Sequence, residues 1–134
     1  MTKITEIEGI GEQYAQELAE ADIRTTEALL EKGATPQGRA EIAEMTGISG
    51  TLILKWVNRA DLFRVKGIGE EYADLLEVAG VDTVPELAQR NPENLYQKLK
   101  ETNQEKQLVR RTPSQSQVSS WVEAAKTLGR VITY

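Results

Sequence analysis

The chain repeats itself, and that limits its fold more than any other feature of the sequence. Displacing it by 58 positions lays Glu8–Lys32 over Lys66–Arg90, and ten of the 25 pairs are identical. They are Gly9/Gly67, Ile10/Ile68, Gly11/Gly69, Glu12/Glu70, Tyr14/Tyr72, Ala15/Ala73, Leu18/Leu76, Ala21/Ala79, Thr25/Thr83 and Leu29/Leu87. Further on the displacement becomes 65: Ser49 matches Ser114, and Trp56-Val57-x-x-Ala60 matches Trp121-Val122-x-x-Ala125. The second copy therefore carries seven extra residues, expected within Glu101–Pro113. A chain of this kind is two versions of one supersecondary unit. The expected division is 1–63 and 64–134.

Both copies read as helical. Tyr14, Leu18 and Ala21 recur at i, i+4, i+7, and Tyr72, Leu76 and Ala79 repeat the pattern. Ile53, Trp56, Val57, Ala60 and Phe63 make one apolar stripe; Val118, Trp121, Val122, Ala125 and Leu128 make its counterpart. No region alternates with a period of two for long enough to form a strand. Thr83-Val84-Pro85-Glu86 has the capping-box pattern. Ser49 and Ser114 are placed to cap the tryptophan helices, Thr35-Pro36 opens another helix, and Gly33, Gly47 and Gly80 are placed to end helices. The expected class is all-α.

Composition removes most catalytic chemistry. The 134 residues include no histidine and no cysteine, so a serine triad, a cysteine nucleophile and the common transition-metal sites are out. Gly-Ile-Gly lacks the third glycine of a dinucleotide fingerprint, since Tyr14 and Tyr72 stand where it would be. No cofactor, no metal site and no enzymatic activity are expected. The N-terminal residues form no apolar leader, and no window reaches the ~18 apolar residues of a spanning helix. A cytoplasmic protein without membrane contact is the expectation.

The sharpest motif is Glu8-Gly9-Ile10-Gly11 with its echo Lys66-Gly67-Ile68-Gly69. Two glycines around one apolar residue permit a tight turn, with the isoleucine as its anchor. The second glycine leaves the first amides of the next helix uncovered, a ready anion site. On turn physics alone, a purely structural corner explains the same residues.

The pattern apolar-x-Gly-Ile-Gly-x-x-Tyr-Ala-x-x-Leu resembles the helix-hairpin-helix motif. Over nearly its full length the chain also resembles a bacterial domain of unknown function built from two such repeats. The matching stretches include Thr46-Gly47-Ile48-Ser49, Ile53 through Leu62, and Lys66 through Thr83. The resemblance implies two tandem helix-hairpin-helix-like (SAM-domain-like) repeats packed into one compact unit, and a binding role. In DNA-binding members of that superfamily, the glycine amides hold a phosphate and a nearby basic residue helps. Carried over, the phosphate-facing positions are Gly9, Gly11, Gly67 and Gly69.

Charge points elsewhere. The net charge is −5. Glu12-Gln13 and Glu70-Glu71 follow the two turns, where DNA binders of the superfamily carry basic or neutral residues. Acidic side chains in the first turn suit the helix dipole, but they repel the phosphates on which nucleic-acid affinity chiefly rests. Basic residues gather between the hairpins: Lys55 and Arg59 at i, i+4, then Arg64 and Lys66, then Lys106, Arg110 and Arg111 in the inserted segment. They either form a backbone-binding surface or balance the acidic turns. Arg39–Ala60 has helix-turn-helix spacing, which would offer Thr51, Lys55 and Asn58 to base edges; core packing explains its apolar residues more simply. Trp56 and Trp121, set within apolar stripes, read as core.

The expected function is a non-catalytic binding module that meets a protein partner through the acidic tips Glu12, Glu70 and Glu71. The alternative is sequence-independent DNA or RNA binding through the turns Gly9-Ile10-Gly11 and Gly67-Ile68-Gly69 and the basic residues between them.

Overall fold

Short polar side chains set most of the helix starts. In the computed structural model, which describes residues 2–134, a 3-10 turn at Ile4–Glu6 precedes α1 (Glu12–Glu20), α2 (Thr26–Lys32), α3 (Pro36–Thr46) and α4 (Gly50–Leu62). There follow α5 (Glu70–Val78), α6 (Val84–Ala88), α7 (Pro92–Lys106) and α8 (Gln115–Leu128). The side chains of Thr25, Thr35, Thr83, Asn91 and Ser114 each accept the backbone N–H three residues on, which satisfies an amide that the helix itself cannot. No strand forms among the described residues; the one bridge joins Lys3 to Thr25.

The capping box forms at Ser114, where Gln117 Oε1 accepts the Ser114 N–H at 2.9 Å and Ser114 Oγ accepts the Gln117 N–H at 3.1 Å. At Thr83 only half of the expected box is present. Thr83 Oγ1 accepts the Glu86 N–H at 3.4 Å, but the Glu86 carboxylate takes the threonine hydroxyl, also at 3.4 Å. The Glu86 carboxyl also pairs with that of Asp82.

Matching elements begin at the displacements seen in the sequence: α1 and α5, α2 and α6, then α4 and α8. The extra length of the second copy is spread out. Helix α7 has 15 residues against 11 in α3, α6 has 5 against 7 in α2, and the connection into α8 runs over 107–114 where the first copy uses 47–49.

The chain separates into two units. The first reaches to Asp61 and also takes in Val131–Tyr134; the second is Leu62–Arg130. The last four residues thus leave the half in which their sequence position puts them. Ile132 is buried in the first unit, and Thr133 donates its N–H to the Ala34 carbonyl at 2.7 Å.

Each unit has its own apolar interior. In the first, Leu18, Ile23, Leu29, Ile53, Trp56 and Val57 are buried. In the second, Leu75, Leu76, Leu87, Leu95, Leu99, Val118 and Trp121 form one cluster, with α8 lying against α6 and α7. The tryptophan stripes are buried as expected except at their ends, where Phe63 is half-buried and Leu128 exposed.

Candidate functional site

The two Gly-Ile-Gly corners have the same backbone. Gly9 and Gly67 both stand at φ +94°, a conformation nearly closed to other residues. Ile10 then donates to the Ile7 carbonyl and Ile68 to the Val65 carbonyl, each at 3.1 Å. Both isoleucines are buried, which pins the turns to their units. Gly11 and Gly69 are extended and start α1 and α5, without a side-chain cap on either helix. All four glycines are exposed.

Behind each corner stands a tryptophan. A Cβ on Gly9 would lie 3.5 Å from Trp56 Nε1, and one on Gly67 only 3.1 Å from Trp121 Nε1. The tyrosine one helical turn on leans against the same ring: Tyr14 and Trp56 have centroids 5.0 Å apart at 62°, Tyr72 and Trp121 5.2 Å apart at 55°. Such tilted contacts place a positive ring edge on a negative face. Both indoles are buried, so they support the corners and present no stacking surface.

The side chains that reach solvent at the corners are acidic. Glu12 in the first unit and Glu70 and Glu71 in the second are exposed, in the first turn of their helices. Lys66 is exposed beside Gly67, and Arg110 shares a hollow with Glu71.

The remaining basic residues differ in exposure and in bonding. Arg59 is buried, so its i, i+4 spacing from exposed Lys55 does not make a shared surface. Arg64 donates to the Leu128 carbonyl at 2.8 Å and the Gly129 carbonyl at 3.0 Å, where it neutralises the negative end of α8. Asn58 accepts the Tyr134 hydroxyl at 3.0 Å, which occupies the amide that a helix-turn-helix reading would turn to a base.

Lys106, Arg110 and Arg111 are exposed around the long turn after α7. Asn103 ties that turn down: its Oδ1 accepts the Val109 N–H at 2.9 Å, and its Nδ2 donates to the Val109 carbonyl at 3.1 Å. Tyr72 donates its hydroxyl to the Arg111 carbonyl at 3.2 Å, so the turn is braced from the corner side as well. Glu71 and Arg110 line an open hollow of about 550 Å³ with Asn103, Gln107, Leu108 and Val109.

Two features had no sequence signal. Arg39 is buried, with Nη1 on the Gly33 carbonyl and Nη2 on the Thr133 carbonyl, both at 2.8 Å. Asp82 and Glu86 form a carboxyl pair. A hydrogen bond that protonated Glu86 donates to Asp82, then burial and the negative charge of Asp82, push Glu86 up from 4.5 to about 7, against the pull of Thr83 and Arg90. Asp82 Oδ1 is buried without a hydrogen-bond partner. Among the described residues no three acidic side chains come together in a metal-binding group, and no helix is long and apolar enough to cross a membrane.

An all-helical protein of two units, each with an exposed glycine corner backed by a buried tryptophan, is the class that these observations define. The chain belongs to the family described as a domain of unknown function, DUF4332, whose model matches residues 8–128. No curated protein and no solved structure gave a match.

Proposed function

We propose that this chain is a non-catalytic binding module of two helix-hairpin-helix-like repeats that engages a basic segment of a protein partner through its acidic corners. The repeat assignment is supported by the equal φ at Gly9 and Gly67, by the matching hydrogen bonds that follow, and by the tryptophan behind each corner. The observation that carries the function is the charge at the exposed amides. Glu12, Glu70 and Glu71 stand in the first turns of α1 and α5, where a polynucleotide backbone would otherwise dock. Like charges there disfavour phosphate, whereas a Lys/Arg-rich segment finds complementary charge. The burial of Arg59 and the bonding of Arg64 to the last carbonyls of α8 weaken the nucleic-acid alternative further. Its remaining support is the exposed Lys55, Lys66, Lys106, Arg110 and Arg111.

The test is a fluorescence titration with a Lys/Arg-rich peptide and, separately, with duplex and single-stranded DNA, at low salt. The peptide is expected to bind. Replacing Glu12, Glu70 and Glu71 by Gln should abolish that binding, while Gln at the exposed Glu41 and Glu44 should leave it. DNA binding that falls steeply with salt and is lost when Lys106, Arg110 and Arg111 become Glu would overturn the proposal.

A further inference from the structure

The segment Val131–Tyr134 is held in the way that binding domains hold an extended peptide. Its backbone is read at both groups of Thr133: the N–H goes to the Ala34 carbonyl at 2.7 Å, and the carbonyl accepts from Arg39 Nη2 at 2.8 Å. One apolar side chain, Ile132, is 2 % exposed and serves as the anchor. Tyr134 lies under the Arg39 guanidinium, 5.7 Å from the ring centroid, and its hydroxyl reaches Asn58. Main-chain bonds supply affinity and the buried side chain supplies specificity in such recognition.

Every residue of this seat belongs to the first unit, whereas the segment arrives from α8 of the second. The connection is Gly129, at φ +74°, followed by exposed Arg130 and Val131. Arg64 holds the Leu128 and Gly129 carbonyls, so the chain is redirected beyond them, at exposed Arg130 and Val131. An emptied seat is itself unfavourable. It would leave a void where Ile132 was, and would strip a buried guanidinium of one of its two carbonyl partners. The occupant that restores every one of these contacts is the same segment of another molecule.

We propose that the seat on the first unit accepts Val131–Tyr134 of a second copy of this chain, so that two copies bind by exchanging these segments. Exchange of an identical element is a low-cost route to a dimer, because the contacts made are those already present within one molecule. The partner copy supplies the Ile132 anchor and the Thr133 carbonyl, and the seat supplies Arg39, Ala34 and Asn58. The proposal stands apart from the acidic corners, which it does not involve.

The test uses two full-length variants. Arg39→Met keeps the segment but disables the seat; Ile132→Asp keeps the seat but disables the segment. Each alone should be monomeric by light scattering. Mixed, they should form a one-to-one complex, since one contributes an intact seat and the other an intact segment. A mixture that stays monomeric at millimolar concentration overturns the proposal. Should Arg39→Met fail to fold, a synthetic peptide of residues 129–134 is titrated onto the Ile132→Asp chain instead. The expected result is a rise in the melting temperature of the first unit, with at least tenfold weaker binding of a peptide that carries Asp at the Ile132 position. No rise at millimolar peptide overturns the proposal as well.

Discussion

Alanine at the corner glycines separates backbone strain from crowding. At Gly9 and Gly67 the backbone stands at φ +94°, and holding a side-chain-bearing residue in such a left-handed conformation costs about 1–2 kcal/mol. The two sites then differ in room. The new methyl would lie 3.5 Å from Trp56 Nε1, an ordinary contact, but 3.1 Å from Trp121 Nε1, where the indole must give way. Overpacking of this kind adds about 1–3 kcal/mol. Gly67→Ala should therefore destabilise the second unit by about 2–5 kcal/mol, and Gly9→Ala the first by about 1–2 kcal/mol. Gly11 and Gly69 are the controls: both backbones are extended and nothing lies within 4 Å of a Cβ. Alanine there loses some N-cap preference and gains from a stiffer unfolded chain, and these roughly cancel within about 1 kcal/mol. Guanidinium unfolding followed by tryptophan fluorescence reads each unit separately, because a Trp56→Phe background leaves Trp121 as the reporter, and the reverse background leaves Trp56. Equal stability of Gly67→Ala and Gly69→Ala would refute the reasoning.

Three further outcomes are expected. Trp56→Ala and Trp121→Ala should each cost about 3–5 kcal/mol in guanidinium unfolding followed by far-ultraviolet circular dichroism, as truncation of a buried indole does. Gly38→Ala should destabilise the first unit in a thermal melt in spite of alanine's better helix propensity, because its Cβ would overlap the Lys32 carbonyl oxygen. The Asp82–Glu86 pair makes stability depend on pH. Glu86 titrates near 7 when folded against an ordinary 4.5, so the folded state holds its proton more tightly. That contribution is complete below about 4.5 and is lost as pH rises toward 7, so the melting temperature of the second unit should fall across this window and Glu86→Gln should flatten the fall.

The helical class and the burial of both tryptophans were legible because period-3.6 stripes and threonine or serine caps are local signals. Duplication strengthened them, since Tyr14 recurs as Tyr72 and Trp56 as Trp121. What escaped was non-local. Arg59 looked like a surface partner of Lys55, yet α4 turns Ile53, Trp56, Val57 and Ala60 inward as well, and Arg59 is enclosed along with this wide apolar face. Arg39 carries no periodic signal, because its role depends on two carbonyls that the fold brings to it, one of them 94 residues away. The raised Glu86 was hidden behind a cap motif whose glutamate turns toward Asp82. The exposed corner residues were legible as positions, since glycines and first-turn acids are local features too.

The return of Val131–Tyr134 to the first unit has a consequence for synthesis. A ribosome delivers the first 61 residues long before the piece that completes their interior, so the earlier half must wait, unplugged, while the later half is made. Domains ordinarily fold as units in the order in which they emerge. Here the half that emerges first is the one finished last, and a gene cut at the boundary of the duplication would encode a first half lacking its closing wedge.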